Sequence, residues 1–431
     1  MYNIPVTITF NSFSFGCRVN QAETEVLDRK LADRGLVKTR INPDLFIINT
    51  CAVTGKAERE AKQLIYRVKR KLPTTKVAVT GCAATKWIKE SVKVEGTDIV
   101  IDNPNKDFAA DILLKRLKIK RTKKGKTDII NSRYLESGRL LLKIQDGCQR
   151  FCTFCIVPYL RGQPKSDSIK KIVGTIRNSD RRVKEVILTA INTQAFGFDT
   201  GEKFIDLVRT VIEKTKVARI SFGSIHPWSV TEEFLKFYDQ ILPSKRLADF
   251  FHIPLQSGSN KILELMRRGY TREEFTEKLA KIKKINPDAF IGTDIIAGFP
   301  DESEADFRDT YNFLRDAPID KFHVFRFSPR EKTAAFYMSK RMKNVPSPLM
   351  KKRAAQLGKL SQQKYASFQK SLLGRSFPAL FLLEKEDGFR RVLLSNQVPA
   401  LIETGKDFRA EIKSVLLTEI KKGRLLGILT N

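Results

Sequence analysis

Histidine is almost missing from this chain. His226, His252 and His323 are its only three in 431 residues, which leaves little besides cysteine to complete a four-ligand zinc site. Cysteine is itself scarce, at six residues, and without an export signal a disulfide framework is not expected. The opening Met-Tyr-Asn-Ile-Pro-Val-Thr-Ile-Thr-Phe lacks the basic flank, apolar stretch and small-residue cleavage site of such a signal. No apolar run reaches the roughly eighteen residues of a membrane span. The expectation is a cytoplasmic protein with reduced, metal-binding thiols and no membrane contact. Acidic residues are short as well, 48 against 79 basic ones, for a net charge of +31. Such a field attracts polyanions, nucleic acid above all. The excess is spread over the body of the chain, which fits a folded, extended polyanion better than one short basic groove would. The run from Lys115 to Lys126 reads as a linker able to touch phosphate.

The cysteines that are present fall into two sets of three. Cys148, Cys152 and Cys155 form Cys-x-x-x-Cys-x-x-Cys within one short loop. Three thiolates so spaced suit three irons of a cubic iron–sulfur cluster and leave the fourth iron open to a substrate or cofactor. A structural zinc loop is the alternative; it needs a fourth ligand, and no histidine lies beside this loop. The other three cysteines stand among short apolar runs that alternate with helical stretches, the pattern of a parallel α/β sheet. Strands are expected at Val6–Phe10, Leu45–Asn49 and Lys76–Thr80, with helices over 20–34 and 55–71. Cys51 and Cys82 then lie within two residues of a strand end, and Cys17 follows the first strand after a Ser/Phe-rich loop. Open α/β sheets bind ligands at the carboxyl ends of their strands. One such cysteine would read as a small buried thiol; three in equivalent positions point to a second three-thiolate cluster.

Residues 139–146 are expected as a strand running into the cysteine loop. Further strands at Val183–Thr189, Arg219–Ser224, Phe250–Pro254, Phe290–Ala297 and Lys321–Phe327 alternate with amphipathic helices. Six βα units imply a partial barrel with its chemistry at the carboxyl ends of the strands. A helical stretch over 348–372 leads to short strands near 376–383, 389–394, 398–402, 408–417 and 424–429, which read as a small β-barrel. The expected division is an α/β domain over 1–115, a basic linker over 116–133, a core over 134–370 and a barrel over 371–431.

Certain strings are more specific: Gly16-Cys17-Arg18-Val19-Asn20-Gln21 with Glu23 and Glu25, Asn49-Thr50-Cys51-Ala52-Val53-Thr54, and Gly81-Cys82-Ala83. Gly147 to Cys155 with Arg161 and Gly162, His252 to Ser259, and Thr293 to Pro300 complete them. Together they resemble the radical S-adenosylmethionine methylthiotransferases. The resemblance implies an α/β architecture: a flavodoxin-like N-terminal domain, a partial (β/α)6 radical core and a C-terminal barrel like the RNA-binding TRAM domain. It implies two [4Fe–4S] clusters. One, on Cys148, Cys152 and Cys155, would cleave S-adenosylmethionine to a deoxyadenosyl radical; the other, on Cys17, Cys51 and Cys82, would carry the sulfur. Phe154, Asn192, Ser224, Ile296 and Gly298 are the implied S-adenosylmethionine contacts, and Arg390 and Arg391 the implied phosphate contacts.

Arg-Val-Asn-Gln after Cys17 and Ala-Val-Thr after Cys51 are most similar to the subfamily acting on threonylcarbamoyladenosine beside the anticodon of tRNA. Subfamilies acting on isopentenyladenosine, or on an aspartate of a ribosomal protein, are the alternatives. The implied partners are the anticodon stem-loop of tRNA, an electron donor such as flavodoxin or ferredoxin, and a sulfur donor, for a monomeric enzyme. Three departures from the family pattern bear on the subfamily rather than on the reaction. His226 stands where an acidic residue is usual, Asp301-Glu302 replaces Gly-Glu after Pro300, and Ser328-Pro-Arg-Glu lacks a Pro-Gly turn.

Overall fold

The computed structural model describes residues 8–119, 133–179 and 181–430. Its first sheet contains β1 (Thr9–Ser14), β2 (Val37–Lys38), β3 (Leu45–Thr50), β4 (Lys76–Gly81) and β5 (Ile99–Val100). All neighbours are parallel, in the order β2-β1-β3-β4-β5. This is the flavodoxin-like order, in which the winding reverses between the first and third strands and opens a crevice at their carboxyl ends. Helices cover both faces, so β3 and β4 carry near-continuous apolar runs such as Phe46-Ile47-Ile48 and Val77-Ala78-Val79.

The first strand differs from expectation. The Ser/Phe-rich stretch read as a loop is itself strand, because Asn11 to Ser14 pair in register with Phe46 to Asn49. Pairing uses backbone groups, and the partner strand outweighs the weak strand preference of Asn and Ser. Val6 and Thr7 of the expected strand, and residues 120–132 of the expected linker, lie outside the described residues.

The central region contains β6 (Arg139–Asp146), β7 (Lys165–Ser166), β8 (Glu185–Ala190), β9 (Arg219–Phe222), β10 (Phe250–His252), β11 (Phe290–Ala297) and β12 (Lys321–Arg326). β6, β8 and β9 are parallel neighbours, as are β10, β11 and β12. A parallel bridge from Ile220 to Leu247, and a bond from Ile225 N–H to the His252 carbonyl (2.9 Å), join the halves. The result is the expected partial barrel. β7, absent from the sequence reading, pairs antiparallel with the end of β6 and leads the chain back after the cysteine loop. Intervening helices bury apolar stripes, including Leu207, Val211, Phe234 and Leu279, against the strands. Thr271 and Ser303 start two of them with reciprocal capping boxes to Glu274 and Asp306.

A helix over Ser347–Ser371 leads into β13 (Ser376–Glu386), β14 (Phe389–Leu394), β15 (Pro399–Glu403), β16 (Ile412–Lys421) and β17 (Arg424–Leu429), which close into a barrel. Alternate residues such as Phe377, Ala379, Phe381, Val392 and Leu394 fill its interior. Arg219 of β9 ties the barrel to the core by donating to the carbonyls of Pro378, Leu393 and Leu394 at 3.0–3.1 Å. Among the described residues no helix is long and apolar enough to cross a membrane.

Candidate functional site

Three of the six cysteines follow a glycine in the left-handed region: Gly16 (φ +86°), Gly81 (φ +95°) and Gly147 (φ +74°). At Gly81 an added Cβ would strike the Thr50 carbonyl and the Asn49 side chain, and at Gly147 the Gln163 carbonyl. The bare backbone lets the chain turn sharply off the sheet edge. Cys82 thereby becomes the first residue of the helix Cys82–Lys89, while Cys17 caps the helix Arg18–Ala32. Gly81→Ala is expected to cost about 1–3 kcal/mol through backbone strain alone, with further loss from the clash. Thermal unfolding should begin earlier, and less iron should be retained after reconstitution.

Cys17 and Cys82 lie close enough to act on the Cys51 thiol, and Cys148 and Cys152 on that of Cys155. Burial, with a smaller push from neighbouring thiols, raises Cys51 and Cys155 to about 12 each. Yet among the described residues no three His, Cys, Asp or Glu side chains converge on a single ion.

Cations stand against two of the thiols. Arg161, on the short helix after the cysteine loop, is buried and donates from Nε to Cys82 Sγ (3.3 Å). Its other nitrogens reach Glu23 (3.0 Å), Asp146 (2.6 Å) and the Asn20 side chain (2.6 Å). Glu23 also accepts from Lys106 (2.5 Å) and Lys143 (3.0 Å). Burial would raise the Glu23 carboxyl, but Arg161, Lys106 and Lys143 outweigh it and hold it well below the usual range. Three cations face two carboxylates here, leaving one buried positive charge beside Cys82. Around the other triplet, Arg268 donates to Cys152 Sγ (3.4 Å), and the Asn192 amide stands 3.7 Å from Cys148 Sγ.

The triplets belong to different domains, and packing brings them to one place. Ile156 and Leu160 of the loop region join the N-terminal core with Ile48, Val79 and Trp87. A cavity of ≈ 660 Å³ results, lined by Cys17 of the N-terminal triplet and by Cys148, Cys152 and Cys155, whereas Cys51 and Cys82 do not line it. Phe154, Asn192 and Ser224 line it as well. Ile296 and Gly298 do not. Ile296 shares a face of β11 with Asp294 but lies one step farther, packed with Ile262, Met266, Phe299 and Ala335. Gly298 lies beyond the strand end, where its N–H bonds the carboxylate of Glu302, itself paired with Arg353 (2.6 Å).

Arg390 also departs from expectation. On β14, Arg390 shares the inward face with Val392 and Leu394, so it is buried, and it pairs with Asp407 (2.9 Å). That placement does not suit a phosphate contact. Arg391, on the opposite face, is half-buried.

His226 lines the cavity. It accepts the Thr193 N–H at Nδ1 (3.3 Å) and lies parallel to the Trp228 ring. Burial, then Arg268 and Arg150, push it down to about 3, so the imidazole is neutral at physiological pH. Arg150 and Trp228, with the guanidinium 3.4 Å from the ring centroid, also line the cavity, as do Arg268 and the His252–Asp294 pair (3.0 Å). The sequence reading gave none of these a role. His252 and Asp294 stood inside quoted strings, but nothing in the spacing of Arg150, Trp228 and Arg268 marks them as neighbours.

Comparison with known proteins places the sequence in a family. Residues 142–314 match the radical SAM superfamily, and residues 9–102 match the uncharacterized protein family UPF0004. The chain is 36% identical to the threonylcarbamoyladenosine tRNA methylthiotransferase MtaB of Aquifex aeolicus, over 89% of this chain and 94% of the relative. It is 32% identical to the protein of that name from Bacillus subtilis, over 85% and 84%. It is 34% identical to the tRNA-2-methylthio-N(6)-dimethylallyladenosine synthase of Bdellovibrio bacteriovorus, over 75% and 74%. Among solved structures, the radical S-adenosylmethionine methyltransferase TsrM of Kitasatospora setae superposes with a TM-score of 0.54 at 11% identity, over 74% of this chain and 75% of that one. That likeness is one of fold. The sequence relatives extend along nearly the whole chain, and on their evidence it belongs to the radical S-adenosylmethionine methylthiotransferase family.

Proposed function

We propose that this protein methylthiolates N6-threonylcarbamoyladenosine beside the anticodon of tRNA, with S-adenosylmethionine and two [4Fe–4S] clusters as cofactors. The observation that carries the reading is the single cavity onto which Cys17 opens from one domain and Cys148, Cys152 and Cys155 from the other. Cys148, Cys152 and Cys155 would hold one cluster, and Cys17, Cys51 and Cys82 the other. When bound, these groups supply a radical able to break an inert adenine C–H bond, and a sulfur to insert in its place.

The chain's own residues bind, orient and shield. Arg161 and Arg268 place positive charge against Cys82 and Cys152, where it would offset the negative charge of a bound cluster. Phe154 walls the cavity with a ring suited to packing on an adenine, while Asn192 and Ser224 offer polar contacts at strand ends. Neutral His226 adds no charge to a cavity already bordered by Arg150 and Arg268. The +31 charge gives the polyanionic substrate a long-range attraction. Arg391 is the remaining phosphate candidate on the terminal barrel. The cytoplasm supplies the tRNA, a flavodoxin- or ferredoxin-type electron donor, and a sulfur donor.

Dimethylallyladenosine, the isopentenyl-type substrate, is the second reading, since relatives named for it match at 30–34% identity. Mass spectrometry of tRNA nucleosides from cells with and without the gene separates the two. Deletion is expected to remove 2-methylthio-threonylcarbamoyladenosine and leave its unthiolated precursor. Loss of the isopentenyl counterpart alone would transfer the assignment to the second substrate.

A further inference from the structure

Beside the main cavity lies a smaller one of ≈ 180 Å³. Phe250, His252 and His323 line both, so the two adjoin. Phe250, Phe290 and Lys321 begin β10, β11 and β12, which puts this cavity toward the amino ends of the strands. Tyr365 of the long helix and Gln397 to Pro399 of the terminal barrel border it there.

One side is apolar: the rings of Phe250 and Phe290 stack with centroids 5.5 Å apart. The polar side presents Lys321 and Gln397 beside the imidazoles of His252 and His323. Lys321 is half-buried, with its ammonium 4.1 Å from the Tyr365 ring centroid, and among the described residues no carboxylate pairs with it. Gln397 has its amide oriented by Arg139, which donates to Oε1 at 2.9 Å. Its buried Nε2 has no partner. No Asp or Glu lines the cavity. An orphaned buried amide is costly unless a ligand meets it, and an ammonium held against an aromatic ring with no carboxylate beside it is open to an anionic one.

We propose that this cavity is a carboxylate subsite, with Lys321 as its charged contact and the Gln397 amide as a second donor. The inference rests on the proposed substrate and deepens it. In threonylcarbamoyladenosine the amino group of threonine is consumed in the link to the base, which leaves a carboxylate, a hydroxyl and a methyl group. The first answers the donors, and the aromatic walls accommodate the last. A dimethylallyl group offers these donors nothing, and a site built for polar contacts discriminates strongly against an analogue lacking them. Lys321 is thus a specificity-determining residue.

The test uses the full-length reconstituted enzyme and synthetic anticodon stem-loops carrying either threonylcarbamoyladenosine or its methyl ester. Wild type is expected to prefer the acid by roughly 10- to 100-fold in kcat/KM, the size of one charge-assisted hydrogen bond. Lys321→Met should bring that ratio close to one, and Lys321→Arg should preserve most of it. Both substrates meet the same protein, so partial misfolding cancels from the ratio. A wild-type ratio near one, or an unchanged ratio in Lys321→Met, overturns the subsite and leaves the functional reading standing. Wild-type failure to methylthiolate the acid stem-loop overturns that reading and the subsite with it.

Discussion

Replacing Cys148, Cys152 and Cys155 together with alanine is expected to abolish deoxyadenosine formation and to halve the iron bound on anaerobic reconstitution. On the two-cluster reading the load falls from about eight to about four irons per chain. Replacing Cys17, Cys51 and Cys82 instead should remove the same amount of iron, and should also stop methylthiolation, yet leave deoxyadenosine formation in place. The asymmetry follows from the architecture. One triplet lies on a loop of the barrel, the other at the edge of a separate sheet, and most of each domain's core is its own. Losing one set of ligands therefore leaves the other set positioned. Undiminished cleavage of S-adenosylmethionine by the first variant would falsify the role given to its three thiols.

Arg161→Met is expected to destabilise the protein by about 3–5 kcal/mol, the usual result of breaking a buried ionic network by removing one partner. The side chain is 1% exposed and Glu23 is 4% exposed, so water does not compensate either group. Asp146 would keep Lys143 (3.0 Å) and Glu23 its two lysines, but Cys82 would lose its nearest cation. Urea unfolding should begin at lower denaturant, and iron should be lost first from the sheet-edge triplet. Arg315→Met is the control, since its pair with Asp316 is more than half exposed. Exposed pairs of this kind contribute little, and its unfolding should match wild type. Equal unfolding of the Arg161 and Arg315 variants would show that the buried network does not join the domains.

Much of this protein was legible from its residues. Apolar runs and amphipathic helical patterns located the strands of the barrel, and residues 139–146 and 290–297 coincide with β6 and β11. Apolar runs succeed in this way because burial on a sheet leaves a direct mark in hydropathy. Where pattern was weak the reading slipped. Asn11 to Ser14 form strand because β3 pairs with them, and a partner strand leaves no local signature. Arg390 and Arg391 look equivalent side by side, but one residue of alternation buries the first and turns the second outward.

Two kinds of information thus divide this protein. Cysteine spacing, the glycine before Cys17, Cys82 and Cys148, and the overall charge are local or additive properties, and the chain alone determined them. Spacing sufficed to suggest three ligands for the cluster on Cys148, Cys152 and Cys155, because covalent connectivity limits how far apart residues of one loop can lie. Convergence of Cys17 with Cys148, Cys152 and Cys155 on one cavity was decided by tertiary structure, as were the Arg161 network and the placing of Lys321 and Gln397 around a second cavity. Each depends on side chains brought together across more than fifty positions of sequence, from Cys17 to Cys148 or from Lys321 to Gln397. Electrostatic complementarity and unmet hydrogen bonds exist only between neighbours in space, and folding alone makes these groups neighbours.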